Sequence, residues 1–173
     1  KIERIVPLHR NHAHRMIEEL MLAANTCAAD FLTRTKRHGL YRVHESSTPV
    51  KLSQLREYLR GLGLSLGGGD EPSSLDFSTL LNKAKARDDF KVIQTMIMRS
   101  MSQAIYTPEN SGHFGLAYKN YTHFTSPIRR YPDLLNHRVI KSALQRKKYT
   151  PKVDGIERAK DEPLKEFEFS VWD

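Results

Sequence analysis

The chain has 173 residues, with 28 lysines and arginines against 20 aspartates and glutamates and one cysteine, Cys27. That length bounds it to one domain or two small ones, the lone cysteine excludes an intrachain disulfide, and no run of about 18 apolar residues offers an ordinary transmembrane helix. The net charge of +8 is uneven, with eight basic residues against Asp133 between residues 129 and 152, and seven acidic against three basic from 153 to 173.

A basic block beside an acidic tail suggests a surface that faces a polyanion, nucleic acid first among them; the alternative is a solvated helix face. The chain opens on Lys1 in mid-pattern, as expected of a fragment, and no apolar leader is visible over Lys1–Arg15. A cytoplasmic location is the expectation, with no membrane partner.

In chain order, the first element predicted is a helix from about Ala13 to Thr35. Met16, Ile17, Leu20, Met21, Ala24, Cys27, Ala28, Phe31 and Leu32 recur on it at helical spacing. Asn11 is its expected cap and Gly39 its stop, and it reads as a central, well-buried element with Cys27 as a small buried hydrophobe. Leu40–His44 alternates like a short strand. Leu52, Leu55, Leu59 and Leu62 predict a second helix, and the loop Gly67–Pro72 follows it. Helices are then predicted over Phe77–Arg87, with Asp76 as cap, and over about Phe90–Ala104. Asp88 and Asp89 sit at the start of the latter, where carboxylates suit the dipole. His113–Tyr118 reads as a strand and Leu134–Gln145 as the last strong helix. Glu166–Trp172 alternates like a strand, although Glu157–Lys165 reads equally as helix.

The stretch richest in chemistry is Thr125-Ser126-Pro127-Ile128-Arg129-Arg130-Tyr131. Ser126 is a good N-cap and Pro127 suits the first helical position, so a helix start is expected there, with a kink at Pro132. Free N–H groups at such a terminus attract phosphate, and Arg129 and Arg130 add paired donors. The alternative is a capped helix with surface arginines. Tyr118, Tyr121, His123 and Phe124 could stack on unpaired bases, or pack in the interior. His113 and His123 have no metal spacing, and Gly67-Gly68-Gly69 lacks the lysine of a phosphate loop. Glu18 and Glu19 border the apolar stripe of the first helix, where one of them could face RNA.

Taken in order, several segments resemble the second half of the catalytic (RNB) domain of the ribonuclease II and ribonuclease R family. They are IEELMLAAN (17–25), LYRVH (40–44), LSLGGG (64–69), HFGLAY (113–118) and YTHFTSPIRRYPDLL (121–135). The last of these, with MIMRSMSQAIYTPEN (96–110), brings the chain nearest the bacterial ribonuclease R branch. The resemblance covers residues 1 to about 146, with the tail from 147 unplaced. It implies an α+β fold, the predominantly helical C-terminal part of an RNB-type catalytic domain with a few short strands.

The resemblance further implies a processive hydrolytic exoribonuclease that works on single-stranded RNA from the 3′ end and releases nucleoside monophosphates. The family holds Mg2+ with an aspartate cluster from an upstream motif that has no match in this chain, so the segment alone is expected to be inactive. By resemblance Arg129 contacts the phosphate at the cleavage site, and Glu18 lies near the RNA. Tyr121, Ser126 and Arg130 belong to the expected RNA-binding set. Glu166, six residues before Trp172, corresponds to a late acidic residue of the active site, within a tail that departs from the family pattern. The competing readings are a non-catalytic RNA-binding protein and a protein-interaction module.

Overall fold

The computed structural model describes Arg4 and residues 10–149. Its fold is α+β and mostly helical, as expected. Helix α1 spans His12–Arg34. Asn11 accepts the His14 N–H at 2.9 Å, and His14 Nδ1 accepts the Asn11 N–H at 3.3 Å, a reciprocal cap that satisfies two otherwise free donors. Strand β1, Tyr41–Val43, pairs antiparallel with β2, Ile105–Thr107, with Arg42 opposite Tyr106. The sequence did not announce β2, because three residues between polar loops carry no readable period.

Between the two strands lie α2 (Pro49–Gly61), α3 (Ser74–Ala84) and α4 (Phe90–Ser100). Their apolar faces close on one another through Leu52, Leu55, Leu59, Phe77, Leu80, Ile93 and Ile97. A second core joins α1, β1 and α5 (Tyr131–Leu144) through Ala29, Leu32, Tyr41, Val43 and Val139. Phe114 links the halves. It packs on the helical core with its ring edge-on to Phe77 at 5.8 Å, and its N–H donates to the His44 carbonyl at 2.8 Å.

Several expectations are corrected. Only one face of α1 is buried, that of Asn25, Ala28, Ala29 and Leu32, whereas Met16, Ile17 and Leu20 are 57%, 52% and 58% exposed. Cys27 is exposed as well. Met16, Leu20 and Cys27 project roughly 150° away from Asn25 and Leu32, so the apolar girth of this helix is wider than the face the described chain covers. Ser73 caps α3 in place of Asp76, which sits three residues on and accepts the Ser73 N–H at 2.8 Å. Asp89 stands at the start of α4 as expected, but its carboxylate bonds no helix N–H, both oxygens being taken by Arg87 at 2.8 Å. Residues 113–118 form two isolated bridges around a short 3-10 turn, Phe114–Leu116.

Gly39 is not a helix stop either. A Cβ there would stand 2.6 Å from Leu32 Cδ1 and 2.9 Å from Asn136 Oδ1, so the residue lets two elements close up. The expected strand at Glu166–Trp172 lies outside the described residues.

Candidate nucleic-acid interface

Tyr121 and Thr122 lie against the edge of β1 that β2 leaves free, and the segment Tyr121–Phe124 is fixed by two buried amides. Arg42 donates its N–H to the Tyr121 carbonyl at 2.9 Å. On α5, Asn136 is fully buried. Its Oδ1 accepts the Leu40 N–H at 2.8 Å, and its Nδ2 donates to the Leu40 carbonyl at 2.9 Å and the Thr122 hydroxyl at 2.7 Å. On α1, Asn25 accepts the Phe124 N–H at 2.9 Å and donates to the Tyr121 hydroxyl at 3.1 Å. Each amide has both its oxygen and its nitrogen engaged, which is what burial of such a group requires. His137 donates Nε2–H to the Phe124 carbonyl at 2.8 Å and stacks on that ring, 4.0 Å between centroids.

Beyond Phe124 the chain makes a tight turn, and this corrects the expected helix start. Ser126 does not cap a helix; its carbonyl accepts the N–H groups of Arg129 at 3.3 Å and Arg130 at 3.0 Å, and α5 begins only at Tyr131. Pro132 then falls in the first turn, where a missing N–H breaks no helical bond, and no kink is needed. Asp133, in the same first turn, is completely buried. Its Oδ2 accepts the Ser126 N–H at 2.8 Å and the Arg130 guanidinium at 2.7 Å.

The two arginines therefore differ in kind. Arg130 is ion-paired, with its side chain 21% exposed. Arg129 is exposed, and its guanidinium makes no hydrogen bond or ion pair among the described residues.

The aromatic residues upstream are mostly packed. Tyr121 is 5% exposed, stacked on Tyr118 at 5.8 Å and edge-on to His113 and His123. Of the two readings open to it, Tyr121 takes the interior one and offers no open face to a base. Tyr106 and His123 Nδ1 share a hydrogen bond of 2.6 Å, and Arg42 lies over the Tyr106 ring at 4.7 Å. Burial, then the Arg130 charge, push His123 down to about 4. Burial and the stacked His44 do the same to His113, also to about 4. Both are neutral near pH 7.

Glu18 is ion-paired to Arg10 on the open half of α1. It lies seven residues before Asn25, on the same face of the helix. Glu166 lies outside the described residues. Among the described residues no three His, Cys, Asp or Glu side chains converge in a way that could hold a metal, so the residues present do not fit a magnesium centre. Nor is any described helix long and apolar enough to cross a membrane.

Sequence reasoning missed Asn25, Asp133 and Asn136. The available signal was a short polar residue in step with apolar ones. Asn25 keeps step with Ala28 and Leu32, and Asp133 and Asn136 with Val139, at spacings of three and four.

Three comparisons bear on this arrangement. The family described as "RNB domain" matches residues 1–146. The chain is 53% identical to "Ribonuclease R" of Vibrio parahaemolyticus over 141 residues, 82% of this chain and 17% of that protein. It is 50% identical to "Ribonuclease R" of Escherichia coli over 144 residues, 83% of this chain and 18% of that protein. The solved structure of Mycoplasma genitalium RNase R in complex with ribose methylated single-stranded RNA superposes with a TM-score of 0.74 at 34% identity, over 79% of this chain and 22% of that one. The chain thus spans about a fifth of the length of the relatives it matches.

Proposed function

The chain belongs to the RNB domain family, and from that premise we propose that it is part of an exoribonuclease that hydrolyses single-stranded RNA from the 3′ end to nucleoside monophosphates. Within it, the turn Ser126–Arg130 presents Arg129 to an RNA phosphate. The observation that carries this is the asymmetry of the arginine pair: Arg130 is committed to buried Asp133, whereas Arg129 stands exposed on a turn tied at both ends. A guanidinium held that way offers two N–H donors in a fixed fork, which matches two phosphate oxygens. Aimed at the phosphate being cleaved, it stabilises the negative charge that builds up as water attacks.

The described residues contribute no metal cluster, so the magnesium of the family chemistry belongs with its aspartates, and no step here runs through it. Glu18, on the open half of α1, and Ser126, at the turn, line the proposed path of the RNA, with Arg130 behind the turn on Asp133. Glu166, in the tail, is the proposed late acid. The proposed compartment is the cytoplasm. The complex of the Mycoplasma genitalium relative with single-stranded RNA supports the choice of partner.

The test uses the 173-residue chain itself. Titrated with labelled single-stranded RNA, it binds with an affinity that falls steeply as salt rises, because phosphate contacts release counterions. With magnesium added it releases no nucleotides. Absent binding, or binding indifferent to salt, overturns the RNA assignment. Magnesium-dependent release by a clean preparation overturns the division of labour.

A further inference from the structure

The arginine that faces the phosphate in the reading above is held by a turn, and the turn is held by one side chain. Asp133 is completely buried, and its Oδ2 collects both the Ser126 N–H at 2.8 Å and an Arg130 guanidinium N–H at 2.7 Å. In an ordinary reciprocal cap, a carboxylate at this third helical position turns back to the residue at the helix start. Here the residue at the helix start, Arg130, receives no side-chain cap through its backbone, and the carboxylate reaches past it to Ser126. The Ser126 carbonyl in turn accepts the N–H groups of Arg129 and Arg130. Both backbone polar groups of Ser126 are thus engaged, and the five residues that carry Arg129 close into a ring through Asp133.

The arrangement is not the one that packing for stability alone would select. Asp133 Oδ1 and Arg130 Nε are buried and have no hydrogen-bond partner among the described residues. A buried ion pair left part-satisfied is weak evidence of stabilisation, because an apolar pair of similar volume avoids the desolvation cost. What the charge provides and an apolar residue cannot is a fixed anchor for a backbone N–H and a guanidinium at once. We infer that Asp133 is a positioning residue for RNA hydrolysis, fixing the Ser126–Arg130 turn so that Arg129 meets the scissile phosphate at the right distance and angle. This rests on the reading of Arg129 given above.

The experiment is a double-mutant cycle in a complete RNB enzyme that contains this segment. Single-turnover cleavage, RNA affinity and thermal melting are measured on the same preparations. Asp133→Asn keeps the size and one acceptor but removes the charge that orders Arg130. Expected is a fall in the cleavage rate on the order of 10²-fold, the cost of misplacing a catalytic group by about 1 Å, with RNA affinity nearly unchanged. In the Arg129→Ala background the same change costs little more, since there is no longer a guanidinium to aim. A purely structural residue would instead lower cleavage by the same factor with or without Arg129.

Full additivity, or unaltered cleavage in Asp133→Asn, overturns the inference. If Arg129→Ala itself leaves cleavage intact, the reading of Arg129 has failed instead, and the two failures are told apart by that single variant. Should Asp133→Asn not fold, Arg130→Lys replaces it in the cycle. It keeps a positive charge beside Asp133 but loses the fork, and its loss of rate is likewise expected to vanish without Arg129.

Discussion

The backbone N–H of Ser126 donates to the carboxylate of Asp133 at 2.8 Å, across seven residues and from a turn into the first turn of the following helix. That bond decides which arginine looks outward. It fixes the turn, directs Arg130 inward to the same oxygen, and leaves Arg129 exposed.

The two alanine variants should therefore fail differently in a complete enzyme. Arg129→Ala is expected to lower single-turnover cleavage by roughly 10²–10³, as the loss of one preorganised donor to a developing anion does, with RNA affinity little changed. Arg130→Ala leaves a buried carboxylate without its cation and should cost about 3–5 kcal/mol of stability, read as a lower melting temperature. Equal loss of cleavage in both, with no change in melting, would contradict the division of roles.

Asn136 should be the most sensitive buried polar position outside that turn. Replaced by alanine, it abandons the Leu40 N–H and loosens the Thr122 hydroxyl inside the second core. The expected loss is about 1–3 kcal/mol, measured by urea unfolding. Asn136→Asp, of the same shape, should be at least as harmful, because it sets a carboxylate oxygen against the carbonyl of Leu40. A tolerated Asn136→Asp would show that shape, not hydrogen bonding, is what the site needs.

For Gly39→Ala the sign of the effect is informative. Gly39 does not adopt a left-handed backbone, so on conformational entropy alone alanine should stabilise by about 0.4–1 kcal/mol. The added Cβ would instead press on Leu32, which is fully buried, and on the tethered Asn136 amide. A net loss of about 1–3 kcal/mol is expected from the overpacking. A rise in the urea midpoint would mean that α1 and α5 can separate freely at this point.

Acidification below neutral pH should weaken the fold through its two buried imidazoles. His113 and His123 are held near 4 in the folded chain, mainly by burial. The unfolded chain takes up protons on the same rings near the ordinary histidine value of about 6.5, so between there and about 4 it binds more protons than the native state. The stability these rings contribute is complete above about 6.5 and is lost as pH falls toward about 4. Urea midpoints measured across that window should drop, and the drop should shrink in His123→Phe. A flat profile would place both rings in contact with water.

What the sequence determined by itself was whatever depends on short-range periodicity and on ordered motifs. The five helices came from apolar spacing, the cap of α1 from Asn11, and the family from the order of its segments, ending in YTHFTSPIRRYPDLL. Tertiary structure decided which competing local preference prevailed. Ser126 has the chemistry of an N-cap, a preference of about 1 kcal/mol. A helix begun there would have set Pro132 inside it, and the buried carboxylate of Asp133 needed the Ser126 N–H. The same holds for α1, whose apolar residues read as one buried stripe in the sequence although the fold covers only one side of them. Periodicity states that a face is apolar; only the neighbours brought by the fold, Tyr121 and Phe124 at Asn25 and Gly39 at Leu32, state which face is covered.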